Sequence, residues 1–251
     1  MFQPQAHFMR FITIALLVLF AGDLTQAADR YNVGYKSRNG IGKYYMGREL
    51  AHFMSHLGAP WLERGNRVEE ERPDLLYKAL KVKRGSTVAD IGCGSGYHTR
   101  RLAKAVGDKG LVYGVDIQKE MLVILHRNMK ANNLTNYQAV LNTTTDSKLP
   151  KGKIDLALFV DVYHEFDHPY EMMKSICDSL APGGRIALVE YRMEDPKVPI
   201  KLLHKMTAAQ VKKEMAAQKS VRFVENVKTL PWQHVLIFEK PKEDSAEKNA
   251  E

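Results

Sequence analysis

Between Thr87 and Val106 the chain reads TVADIGCGSGYHTRRLAKAV. A short apolar run carries Asp90, and the backbone then passes through Gly92, Gly94 and Gly96. From Tyr97 the residues Leu102, Ala103 and Val106 fall on one helical face, which Gly107 closes. Glycine is required where the main chain takes positive φ or where a ligand comes within contact of it. A strand, a glycine turn and a helix in this order start an α/β fold and place a ligand at the carboxyl end of the strand. The spacing narrows the ligand. A dinucleotide loop reads G-x-G-x-x-G with the diphosphate on the helix N-terminus. Here the third glycine comes one residue early and position 97 is Tyr, which opposes an NAD oxidoreductase. Asp90, two residues before the first glycine, suits a ligand ammonium group better than a diphosphate. Asp116 closes the next apolar run, LVYGVD. A carboxylate there can accept both ribose hydroxyl protons, and it rejects a 2′-phosphate.

The alternation continues. YQAVL, IDLALFV, RIALVEY, VRFVENV and HVLIFEK read as further strands. Helices are predicted over Gln118–Met129, from Pro169 to about Leu180, and near Thr207–Gln218. The fold class is α/β: a Rossmann-like, seven-stranded, mostly parallel sheet with an antiparallel C-terminal edge hairpin and N-terminal helices. Upstream, residues 28–42 read as an extended arm. Met46, Leu50, Phe53, Met54 and Leu57 have helical spacing, so a helix is expected over Tyr44–Leu57, and another from Pro73. The first would carry Tyr45, Arg48, His52 and Phe53, either as a lid over the ligand or as core packing.

Loop, acid and strand order together resemble the methyltransferase domain of class I S-adenosylmethionine-dependent enzymes. The chain is most similar to predicted exported bacterial methyltransferases that share YMGREL, GAPWLER, ERPDLL, VDVYHEF, HPYEM, LAPGG, VEYR, DPKVPIK, LHKM and LPWQH. The resemblance implies S-adenosyl-L-methionine as cofactor. By position, Asp90, Gly92, Gly94 and Gly96 would hold its methionine moiety, Asp116 its ribose, and Ile117 would pack on adenine. The adenine-contacting acid would be Asp146, with Thr144 as rival, because Asn142-Thr143 replaces the usual Gly-Asp. Asp146 reads equally as a turn residue before Lys148-Leu149-Pro150. The resemblance does not imply a methyl acceptor.

His164-Glu165-Phe166-Asp167-His168 matches the H-E-x-x-H pattern of zinc proteases, which requires a helix. Here it directly follows a strand, with Asp167 as the expected N-cap and Pro169 opening the helix. A zinc protease is therefore rejected and no metal site is expected. In a class I enzyme Asp161 to Glu165 would instead line the acceptor pocket. His164 is the candidate general base, with Asp161 or Glu165 to orient it. Alternatively His164 caps the next helix while Asp161 bonds loop amides. Glu190, Tyr191, Arg192, His204, Lys205, Trp232 and His234 either line the pocket or pack.

The N-terminus raises a question of compartment. FITIALLVLFAG follows Arg10, and Thr25-Gln26-Ala27 offers small residues at −3 and −1. The run is shorter than the roughly 20 residues of a membrane span, so a cleaved signal peptide is expected, with an uncleaved anchor as the alternative. The expected organisation is a signal over 1–27, an arm and helices over 28–72, the methyltransferase domain over 73–240, and a charged disordered tail over 241–251. Cys93 and Cys177 read as packed thiols rather than a disulfide. The net charge of +8 comes without a groove-reading motif, so no specific nucleic acid is expected. The expected partner is a small-molecule methyl acceptor; oligomeric state is open. Two functions follow: a methyltransferase, or an exported, non-catalytic S-adenosylmethionine-binding sensor.

Overall fold

The structure, a computed structural model, describes residues 30–242. The expected signal peptide and residues 243–251 of the expected tail lie outside them. Two compact units divide after Leu50.

The first unit holds a small sheet of order β1-β2-β3, formed by β1 (Tyr31–Val33), β2 (Gly40–Tyr45) and β3 (Arg48–Ala51). The helix expected over Tyr44–Leu57 is not formed. Met46 and Gly47 take φ of 48° and 96°, the paired positive φ of a two-residue hairpin turn. Tyr45 and Arg48 therefore flank a turn, and neither belongs to a lid helix. The turn is supported from within: the buried Glu49 carboxylate accepts the Ser37 and Gly42 amides at 2.9 and 3.1 Å.

The second unit begins with a single 3-10 turn at His56–Gly58 and three short helices, α1 (Ala59–Leu62), α2 (Arg67–Glu71) and α3 (Pro73–Leu80). His52 and Phe53 lie in the coil before that turn. Seven strands follow: β4 (Thr87–Ile91), β5 (Leu111–Asp116), β6 (Tyr137–Leu141), β7 (Ile154–Val160), β8 (Leu180–Tyr191), β9 (Arg222–Val227) and β10 (Gln233–Glu239). Their order is β6-β5-β4-β7-β8-β10-β9. The first five run parallel, whereas β10 is antiparallel to both β8 and β9. The crossover helices are α4 (Tyr97–Val106), α5 (Lys119–Ala131) and α6 (Pro169–Ser179); α7 (Ala208–Met215) precedes the edge hairpin. This is the expected seven-stranded sheet.

A parallel strand covered on both faces must be apolar throughout. In β7, Ala157 and Phe159 enter one core with Met173 and Ile176 of α6. Leu156 and Leu158 enter the opposite core with Leu76, Leu102 and Leu125. Each buried Leu or Phe contributes about 1.5–3 kcal/mol, so both faces hold β7 in register and fix where its carboxyl end emerges. Cys93 and Cys177 are free, buried thiols, as expected. No helix of the described residues is long and apolar enough to cross a membrane.

Candidate functional site

The carboxyl ends of β4, β5 and β7 lie side by side, and the residues between them build the site. After β4 the chain turns through Gly92, Gly94 and Gly96, with φ of 64°, 52° and 81°. Gly92 is also required sterically, since a Cβ there would lie 2.3 Å from Val162 Cγ2. The Gly94 amide donates to Asp116 Oδ2 and the Gln118 amide to Asp116 Oδ1, each at 2.9 Å. Burial pushes the Asp116 carboxyl up, against these two hydrogen bonds. Asp90 lies beneath the loop and accepts the Thr99 hydroxyl at 2.6 Å. Its burial raises the carboxyl to about 7, although Thr99 and Arg67 favour the charged form.

A segment of coil joins the ends of β5 and β7. The Met54 amide donates to both Glu165 carboxylate oxygens at 3.2 Å. The Gln118 side chain accepts the His56 amide at 2.8 Å and donates to the Met54 carbonyl at 2.9 Å. Glu63, after α1, receives the Ser95 hydroxyl at 2.6 Å and the Arg100 guanidinium at 2.7 Å. An open cleft of about 700 Å³ beside this contact is lined by His56, Glu63, Ser95, Arg100 and Asn128, and by none of the residues around His164.

At the end of β7, Asp161 takes φ of 53°, and the next residues form a 3-10 turn at Tyr163–Glu165. The chain is not helical through the H-E-x-x-H string, and α6 begins only at Pro169. Its N-cap is His168 rather than the expected Asp167, whose carboxylate pairs with the His168 ring at 2.8 Å. His164 therefore does not cap α6. It is buried, and its Nδ1 donates to Glu190 Oε2 at 2.6 Å, while Glu190 Oε1 accepts the Tyr163 amide at 3.0 Å. Glu190, on β8, thus orients His164. Asp161 does not: its Oδ2 accepts from the Gln233 side chain at 2.6 Å and its Oδ1 is buried without a partner. Nor does it bond loop amides. Burial, then the nearby Glu71 and Glu190 carboxylates, push Asp161 well above the usual carboxylate range. Glu165 lies on the other side of the imidazole, with Oε1 3.9 Å from His164 Nε2. His204 completes the group, its Nδ1 3.1 Å from His164 Nε2.

The remaining expectations divide. Ile117 follows Asp116 with 40% of its surface exposed, an apolar face beside that carboxylate. Asp146 is committed to its turn, receiving Lys148 Nζ at 2.6 Å, the Lys148 amide at 2.9 Å and the Ser175 hydroxyl at 3.1 Å. Thr144 is exposed. Asn142 was not anticipated. Its backbone amide donates to the Asp116 carbonyl, and its Oδ1 is buried with no partner. The only available signal was its position directly after β6. Tyr191 bonds Glu71, Arg192 clamps the Leu230 and Gln233 carbonyls, and Lys205 reaches the Val198 carbonyl, so these three serve packing. His234 is buried, which lowers its ring pKa; Trp232 is half-buried.

Proteins similar to this chain include methyltransferases. A family described as methyltransferase domain matches residues 82–245. The demethylmenaquinone methyltransferase of Geobacillus sp. (strain WCH70) is 27% identical over 119 residues, 47% of this chain and 50% of that protein. That of Lactococcus lactis subsp. lactis (strain IL1403) is 27% identical over 173 residues, 62% of this chain and 68% of that protein. The chain spans about half the length of most such curated relatives. Among solved structures, a SAM dependent methyltransferase from Aquifex aeolicus superposes with a TM-score of 0.71 at 21% identity, covering 75% of this chain and 100% of that one. The matched residues take in both the glycine loop and the His164 end of the sheet, and the chain belongs to the methyltransferase domain family, with the class I S-adenosylmethionine-dependent methyltransferase fold.

Proposed function

We propose that this protein is an exported S-adenosylmethionine-dependent methyltransferase acting on a small-molecule acceptor held at the end of β7. One observation carries the cofactor: Asp116, fixed by the Gly94 and Gln118 amides, stands directly beside three left-handed glycines and the buried Asp90. S-adenosylmethionine supplies an activated methyl group on a sulfonium. Asp90 and the loop of Gly92, Gly94 and Gly96 hold its methionine end, Asp116 its ribose, and Ile117 its adenine face. The buried, unpartnered Asn142 Oδ1 is an acceptor fitted to the adenine amine, a role that the Lys148 and Ser175 contacts withhold from Asp146.

At the acceptor end, Asp161 and Glu165 frame the position and His164 acts as base. With Nδ1–H donated to Glu190, Nε2 carries the lone pair that takes the acceptor's proton, in the place where His204 Nδ1 now meets it at 3.1 Å. Positioning contributes up to about 7–11 kcal/mol, and proton removal roughly 10²–10⁴ in rate. The test uses purified full chain with S-adenosylmethionine and a panel of phenols, amines, thiols and quinols, with formation of S-adenosylhomocysteine as the readout. Demethylmenaquinone joins the panel because relatives bear that name. His164→Ala is expected to keep cofactor affinity and lower turnover by about 10²–10⁴. Unchanged turnover removes His164 from the mechanism. Binding without product across the panel overturns catalysis in favour of a sensor.

A further inference from the structure

We infer that His164, Glu165 and His204 form a binding site for a divalent first-row transition ion of the zinc type. His164 Nε2, His204 Nδ1 and Glu165 Oε1 lie 3.1, 3.4 and 3.9 Å apart pairwise. A point equidistant from three atoms so spaced is about 2.0 Å from each, the length of zinc bonds to imidazole and carboxylate. Two imidazoles and one carboxylate are the donor set of open catalytic sites, where a fourth position takes water or substrate. The three come from two places in the chain: His164 and Glu165 from the 3-10 turn after β7, and His204 from the 3-10 turn at Leu202–His204.

The second layer supports the same reading. A metal-bound imidazole usually donates its other N–H to a carboxylate, which fixes the tautomer and raises ligand basicity. Glu190 receives His164 Nδ1–H at 2.6 Å and is itself held by the Tyr163 amide. Glu165 is steadied by the Met54 amide. His168, the second histidine of the H-E-x-x-H string, takes no part; it pairs with Asp167. The ion-binding group is therefore not the one that the linear pattern suggests.

The site rests on the acceptor position proposed above and makes His164 a ligand there in place of a base. An ion would occupy the Nε2 lone pair otherwise offered to a proton. The acceptor's hydroxyl, thiol or amine would then be oriented and made more acidic by coordination, so base and ligand are exclusive roles for His164.

Metal-stripped full chain titrated with Zn²⁺ against a chromophoric chelator, and with Co²⁺ by visible spectroscopy, separates these roles. One tight equivalent and d–d bands of low-symmetry Co²⁺ are expected. His204→Ala should weaken the site at least 100-fold, Glu190→Gln by about 10–100-fold, and His168→Ala should leave it unchanged. Absence of a tight equivalent overturns the site, as does affinity indifferent to His204→Ala and Glu190→Gln, or lost in His168→Ala. S-adenosylmethionine affinity on the same preparations reports folding. Cofactor binding without metal defeats the metal site alone; metal binding without cofactor defeats the methyltransferase reading alone.

Discussion

Glu190 shows what residue spacing hides. Asp161 and Glu165 are neighbours of His164 in sequence, whereas Glu190 arrives from β8 only because β7 and β8 pair in parallel, with Val160 opposite Val189. Asp161, in left-handed conformation, turns its carboxylate to Gln233 instead. Local pattern located His164; its partner was a property of the sheet. Asp90 and Asp116 were legible for the opposite reason, since each closes its own strand beside the loop. Asp90 makes a prediction at this scale. Burial raises its carboxyl from 3.8 to about 7, so the folded protein favours the neutral acid. Its contribution to stability is full below about pH 3.8 and is lost as pH rises through 7. A ligand ammonium favours the charged form, so S-adenosylmethionine should bind more tightly as pH rises to about 7, by up to about tenfold per unit. Loss of the ligand's own ammonium proton near pH 7.7–8.0 should then reverse the trend. Calorimetry across pH 5.5–9 checks this, and Asp90→Asn should abolish the rising limb alone. A rising limb that persists in Asp90→Asn assigns it to another group.

Elements were legible where two signals agreed. From Thr87 to Glu239 apolar runs and helical faces alternate with glycines at the boundaries, and each expected strand and helix is present. Over Tyr44–Leu57 one signal stood alone. Met46, Leu50, Phe53 and Leu57 fit a helical period, but Met46-Gly47 makes a two-residue turn and the flanking residues pair as strands. Glycine at a hairpin turn outweighs periodicity, because the turn fixes register while an isolated 14-residue helix is marginal. The glycine loop gives the element-scale prediction. Gly92→Ala must hold alanine at φ of 64° and push against the branched Val162 side chain. The left-handed conformation alone costs about 1–2 kcal/mol, so urea unfolding should show at least that loss, with weaker cofactor binding. Gly65→Ala, where a Cβ meets nothing within 4 Å, should leave both nearly unchanged. Equal effects at the two positions would mean that the loop tolerates a side chain.

At the scale of the molecule, the fold and the compartment make different demands. The methyltransferase domain match begins at residue 82, and S-adenosylmethionine is a product of the cytosol. Yet the first 27 residues combine Arg10, an apolar run of about a dozen and the small residues Thr25 and Ala27 at −3 and −1. Their removal takes one Arg and one Asp, so the charge of +8 is kept and the domain is electrostatically indifferent to it. The proposed export therefore bears on stability through cofactor supply: at 100 times its Kd a bound cofactor adds about 2.7 kcal/mol of stability, which an exported chain would lack until it met its ligand. Expression of the full chain in a bacterium, followed by fractionation and intact mass, should give a species beginning at Ala28 outside the cytosol. Ala27→Leu should block processing and leave the longer chain at the membrane. A chain that stays intact and cytosolic in the unsubstituted form would place the enzyme with its cofactor and remove the export reading, leaving the site chemistry as it stands.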